Sequence, residues 1–317
     1  MKATELLDAD EIRAMTARSD LDGARAVVTS WAMIAGAFAL AACRPGVATI
    51  AIAILVIGGR QLALAVLMHE AAHRTLFRTR AWNDTLTDWI CARPVWTDVA
   101  RYRTHHLAHH AHAGTDRDPD RALVEPFPVR RGSLARKLAR DLVGASGVRR
   151  VIGLVLMDAE YLAYNVSGVA AWNPRRSIGH HARAFVKNAG PAIVANAILF
   201  AILALVGHAW LYLLWIAAWL TTYGLFLRVR SMAEHACLEG GRDPMRNTRT
   251  TRASWLARLT VAPHHVGYHL EHHLLPTAPY AKLPALHARL RGAGAIPDDA
   301  LAPSYLHVLR VVSDQRA

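Results

Sequence analysis

The sequence predicts an all-α membrane protein. It has four transmembrane helices in two hairpins, plus interfacial helices and a histidine-rich cytoplasmic cap, forming a single membrane-embedded domain over residues 1–317. Three observations predict this. Apolar residues make up 53% of the 317 positions and charged residues only 19%. The long apolar runs come in two close pairs. The 18 histidines cluster beyond the ends of those runs instead of scattering. Such an apolar excess argues against disorder, and three cysteines are too few for a disulfide scaffold.

The elements follow in order. Residues 1–26 are polar and mixed in charge, with no apolar stretch and cleavage site arranged as in a secretory leader, so they read as a cytoplasmic segment. Spans are expected at 27–43 and 47–68, parted by Arg44-Pro45-Gly46, and at 192–206 and 210–227, parted by Gly207-His208-Ala209. A helix needs roughly 20 apolar residues to cross a bilayer, so the short run 192–206 must borrow from its flanks. Pro-Gly and Gly stop helices, which makes each pair a hairpin. Two further stretches, 82–96 and 151–172, are apolar but carry Asp84, Asp88 and Arg93, and Asp158, Glu160 and Asn165. Charges are costly at the bilayer centre, so both read as interfacial helices anchored by Trp82, Trp89, Trp96 and Trp172. The basic stretch 130–140 reads either as a helix near anionic headgroups or as a solvated face.

Charge sets the orientation. Lys and Arg number 37 against 24 Asp and Glu, a net +13. The first hairpin turn holds only Arg44 and the second holds none, whereas 69–191 holds 19 and 228–317 holds 12. The positive-inside rule then puts both turns outside and the termini and histidines in the cytoplasm, as in a bacterial inner membrane. The same charge is a lipid-facing cap rather than a nucleic-acid surface.

The histidines carry the chemistry. His69-Glu70-Ala71-Ala72-His73 follows the second span. His106-Leu107-Ala108-His109-His110 comes next, His235 lies just past the fourth span, and His269-Leu270-Glu271-His272-His273 lies beyond it. Residues at i, i+3 and i+4 share a helix face, so each cluster can aim two or three imidazoles at one point. Imidazole suits Fe, Zn, Cu and Ni. One tetrahedral zinc uses at most four ligands, so nine candidates point to two metals. The expected topology puts every cluster on the same side of the membrane.

This set of motifs resembles the membrane fatty acid desaturase superfamily, which includes acyl desaturases, lipid hydroxylases and carotenoid hydroxylases and ketolases. The first box is HEAAH within 68–77. The second runs from Tyr102 to the Gly114-Thr115-Asp116-Arg117-Asp118-Pro119-Asp120 turn. The third is HLEHH within 267–276. The resemblance covers about 47–290. It implies a non-haem di-iron centre with O2 as co-substrate, and His69, His73, His106, His109, His110, His235, His269, His272 and His273 as ligands. Some members place an Asn four residues before the isolated histidine. This chain has Ser231 there, so that role is not carried over. No His-Pro-Gly-Gly haem box is present, so electrons are expected from a separate ferredoxin-, rubredoxin- or cytochrome-type donor with its reductase.

An unactivated C–H bond needs an oxidant made from O2 and two electrons, which is cofactor chemistry. Metal-bound imidazoles need acceptors for their second N–H, and Glu70, Asp116, Asp118, Glu234 and Glu271 are placed in sequence to serve. Arg60 lies about 13 Å along the helix from His69, inside the second span, and is a candidate intramembrane functional residue paired with Asp158, Glu160 or a polar substrate group. The expected function is O2-dependent desaturation of a fatty-acyl or lipid chain. The alternatives are hydroxylation or ketolation in the same superfamily, a zinc metalloprotease using HEAAH with Glu70 as base, and a metal transporter. Cys43, Cys91 and Cys237 read as packing residues.

Overall fold

A computed structural model describes residues 2–168 and 170–314. Four of its segments are long and apolar enough to cross a membrane: Ala9–Cys43, Val47–Ala72, Ile178–Leu205 and Ala209–His235. The first holds a short polar helix, α1 (Ala9–Met15), and the apolar α2 (Asp20–Cys43). Asp8 and Glu11 form a capping box on α1, and Ser19 caps α2 by accepting from the Asp22 N–H. The Arg44-Pro45-Gly46 turn leads into α3 (Val47–Ala72), which is buried without interruption from Ile57 to Ala72. It forms the centre of the molecule.

Between the hairpins lie α4 (Val99–His112), α5 (Arg121–Val124), α6 (Arg131–Leu142) and α7 (Ala145–Asp158). The second hairpin is α8 (Ile178–Leu205) followed, after Gly207 at φ +80°, by α9 (Tyr212–Leu220) and α10 (Thr222–His235). The short run 192–206 is thus the end of a 28-residue helix. The fourth segment breaks at Thr221, and Thr222 Oγ1 donates to the Ile54 carbonyl of α3 at 2.9 Å. Gly58 and Gly59 make room there. A Cβ on Gly58 would lie 2.0 Å from Thr222 Oγ1, and one on Gly59 would lie 2.2 Å from the Leu259 carbonyl.

The cap contains α11 (Pro244–Asn247), α12 (Trp255–Leu259), α13 (His269–Leu274), α14 (Leu283–Gly292) and α15 (Tyr305–Val311). A two-residue parallel pair, Thr250–Thr251 with Leu301–Ala302, ties its ends together. Leu270, Leu274, Leu283, Leu286 and Leu290 pack into a second core with Ala3 and Leu7 of the N-terminal segment.

Three expectations need correction. The stretch 151–172 is not one helix, because α7 ends at Asp158. Glu160 takes φ +57°, and Asn165 Oδ1 accepts from the Ser167 N–H, a local bond that competes with a helical ladder. The stretch 82–96 winds as two wide π-turns and a 3-10 turn rather than a regular helix. Arg60 does not meet Asp158 or Glu160. Its guanidinium donates to the carbonyls of Arg258 (2.8 Å) and Leu259 (2.7 Å) at the end of α12. Asp158 instead accepts from Arg101 (2.6 Å) and the Trp96 indole (3.0 Å), and Glu160 pairs with His180 at 2.9 Å.

Candidate metal centre

Four elements carry the nine histidines. The end of α3 holds His69 and His73, α4 holds His106, His109 and His110, α10 ends in His235, and α13 holds His269, His272 and His273. Local caps orient these elements. Asp98 accepts from the Arg101 N–H at the start of α4, and Arg103 donates to the carbonyls of Ala71 and Ala72 where α3 ends. The fold gathers the ring nitrogens into two groups, each spanning no more than 4.8 Å. One group is His69, His73, His106, His110 and His272; the other is His109, His235, His269 and His273.

This division differs from one point per cluster. Each HxxHH run serves both groups: His106 and His110 go with one while His109 goes with the other, and His269 and His273 part from His272. The helix explains it. A helical residue turns about 100°, so i+4 returns to within about 40° of i, while i+3 falls about 60° to the other side.

The spacings suit metal ions. Nitrogens sharing one metal at about 2.1 Å lie about 3.0–3.4 Å apart for octahedral to tetrahedral angles. Nε2 of His110 lies 3.0 Å from Nε2 of both His106 and His272, and Nε2 of His235 lies 3.2 Å from that of His109 and 2.9 Å from that of His269. Both ring nitrogens of His69, Nε2 of His73 and His273, and Nδ1 of His272 are buried without a hydrogen-bond partner among the described residues. Such groups cost about 1–3 kcal/mol each unless something satisfies them. The pair His109–His235 is sharper still. Nδ1 of His109 faces Asp118 Oδ1 at 2.7 Å and Nδ1 of His235 faces the Asn247 carbonyl at 2.9 Å. Both Nδ1 atoms therefore carry protons, and in the neutral rings two Nε2 lone pairs face each other. A cation between them relieves this.

Titration agrees. Burial and neighbouring positive groups push His73 down to about 4 and His110 to about 2, and hold His106, His269, His272 and His273 well below the usual histidine value. Their lone pairs are free at neutral pH. His109 goes the other way: burial lowers it, but the Asp118 hydrogen bond and the charges of Asp118, Asp120 and Glu234 raise it more. That corner attracts positive charge.

The five carboxylates divide. Asp118 reaches His109 directly. Glu70 lies 3.5 Å from His69 Nδ1, and Glu234 lies 3.5 Å from His269 Nδ1. Glu271 is fully buried but turns to His287 (2.5 Å) and Thr250 rather than to any of the nine. Asp116 does not face the imidazoles: its side chain is 92% exposed and pairs with Arg121. Asp120, two residues on, does approach, at 2.7 Å from His105 and 3.8 Å from His109. Ser231 Oγ donates to the Leu227 carbonyl within its own helix. His105, His180, His181, His264 and His287 each have local partners outside the two groups.

Sequence reasoning missed three contributors. Tyr102 stacks on His106 with centroids 5.2 Å apart, and its i, i+4 spacing was a usable signal. Arg230 donates to Glu234 at 2.6 Å, also at i, i+4. The Asn247 carbonyl left no signal, since any residue has one.

Comparison with known proteins places these residues in context. The family model for fatty acid desaturase matches residues 45–302. Dihydrorhizobitoxine desaturase of Bradyrhizobium elkanii is 28% identical over 237 residues, covering 72% of this chain and 64% of its own length. Beta-carotene ketolase of Paracoccus sp. (strain N81106 / MBIC 01143) is 26% identical over 230 residues, covering 71% of this chain and 73% of its own length. The chain thus spans less than two thirds of the first relative.

Proposed function

The chain belongs to the fatty acid desaturase family, known for a di-iron site, and from that premise we propose that it is an O2-dependent di-iron desaturase of a fatty-acyl or lipid chain. The observation that carries the reading is the convergence of nine ring nitrogens into groups of five and four. These histidines hold two irons in this reading. When bound, the irons supply the redox chemistry by which O2 and two electrons oxidise an unactivated C–H bond. The chain's own groups orient and shield. Asp118 and the Asn247 carbonyl fix imidazole tautomers, and the buried ends of α3, α10 and α13 keep bulk water from the rings. The donor is a separate redox protein, and the centre faces the cytoplasm within one membrane-embedded domain.

An apolar substrate agrees with the spans. A cavity of about 240 Å³ lies among Trp96, Leu154, Trp215 and Trp219. The three indole N–H groups point to Asp158, Asn196 Oδ1 and the Val95 carbonyl, so the wall presents hydrocarbon faces. None of the nine histidines lines it, so in this reading it receives only a part of the acyl chain remote from the reacting carbons. A protease reading is disfavoured, because HEAAH would employ two of the nine gathered histidines and leave seven without a role.

The similarity to a carotene ketolase favours oxygen insertion as the second reading. Mass spectrometry of total lipids from a bacterium expressing the chain, against His109→Ala and His272→Ala controls, separates them. Species lacking two hydrogens, absent in the controls, are expected. Species gaining oxygen would replace desaturation by ketolation or hydroxylation.

A further inference from the structure

The two histidine groups differ in what stands behind them. In the four-histidine group, His109 Nδ1 lies 2.7 Å from Asp118 Oδ1 and His235 Nδ1 lies 2.9 Å from the Asn247 carbonyl. Both acceptors are themselves fixed. Asp118 Oδ1 also accepts from the Asp120 N–H at 2.8 Å, and the Asn247 side-chain amide donates to the carbonyls of Ala113 and Gly241. Gly114 lets the two loops meet: its φ is +74°, and a Cβ there would lie 2.3 Å from the Gly241 carbonyl. A second carboxylate, Glu234, is held by Arg230 and lies 3.5 Å from His269, too far for a good hydrogen bond but near enough to add negative charge.

The five-histidine group has no such backing. Among the described residues, the oxygens recorded beside it are Glu70 Oε1, 3.5 Å from His69 Nδ1, and the Tyr102 hydroxyl, 3.5 Å from His106 Nδ1. Neither distance makes a good hydrogen bond. Among the described residues, His272 Nδ1 has no partner. Charge points the same way. Asp118, Asp120 and Glu234 all lie within 3.8 Å of ring nitrogens in the four-histidine group, against Glu70 alone in the other.

We propose that the two metals are held unequally. The four-histidine group fills first and binds more tightly, although it offers one ligand fewer, with Asp118 and the Asn247 carbonyl as positioning groups. A ligating imidazole whose other N–H is bonded to a carboxylate or carbonyl is preoriented and more basic, and loss of such a partner typically costs about 10- to 100-fold in metal affinity. The inference rests on the two-metal reading above.

The test is anaerobic titration of the metal-free, full-length protein in nanodiscs with Fe(II) against a chromophoric chelator. Wild type should bind two equivalents, the first at least about tenfold tighter than the second. His272→Gln should keep the tight equivalent and lose the weak one. His269→Gln should do the reverse. Asp118→Asn, nearly isosteric, should weaken the tight equivalent by about 10- to 100-fold and leave the other unchanged. Two equal equivalents would overturn the proposal while leaving the two-metal reading intact. So would loss of the tight equivalent in His272→Gln with retention in His269→Gln. Binding of fewer than two equivalents by the wild type would overturn the two-metal reading itself.

Discussion

Asp116, Asp118 and Asp120 alternate along one turn, yet only the last two approach imidazoles, while Asp116 pairs with Arg121 in solvent. Removing Asp116 should therefore be nearly silent: Asp116→Asn is expected to retain wild-type iron content, measured by mass spectrometry of the metal. Arg60 is the other instructive residue. A buried guanidinium held by two carbonyls leaves those acceptors unpaired when it is removed, at about 1–3 kcal/mol each. Arg60→Leu should lower the unfolding temperature of the purified protein. Arg60→Lys, which keeps a donor, should lower it less. Equal thermal stability of wild type and Arg60→Leu would rule out the bracing role.

Among the elements, α3 is the axis on which the others close. Its Gly58-Gly59 pair admits Thr222 of α10 on one side and the end of α12 on the other. Gly59→Val forces a side chain into the Leu259 backbone and should cost about 1–3 kcal/mol, as overpacking does. Gly36→Ala of α2 is the matched control, because a Cβ there meets nothing within 4 Å. It should be neutral or stabilising by roughly 0.5–1 kcal/mol, as expected for alanine in a helix. Thermal unfolding of both variants checks the pair. Its unbroken apolar run made this element plain in the sequence. The kinked passage 82–96 and the early end of α7 were not, since apolar composition marks depth in the bilayer but does not specify winding.

At the scale of the molecule, topology is open to direct measurement through native cysteines. Cys43 is exposed at the first hairpin turn, Cys91 is buried, and Cys237 is partly buried two residues past His235. A membrane-impermeant maleimide should label Cys43 in right-side-out vesicles, and Cys237 only in inverted ones. Labelling of Cys237 from outside would reverse the orientation argued from charge. Metal also links to the stability of the whole. Any ion bound by the folded state alone raises stability with the logarithm of its free concentration relative to its Kd. Chelation should therefore lower the unfolding temperature, and added Fe(II) should restore it.

The four apolar helices, their pairing and the family were legible in the residues alone, because hydropathy, turn residues and i, i+4 spacing are local properties of the chain. So were the nine histidines. How they sort into five and four, which carboxylates reach them and where Arg60 finds its partners emerged with the folded chain. The sorting and the Arg60 contacts depend on where elements more than a hundred residues apart in the chain meet, and the carboxylate contacts on how the turn after α4 folds back. A helix wheel places His109 and His110 about 100° apart. What stands on either side of them is set by α3, α10 and α13 closing around α4.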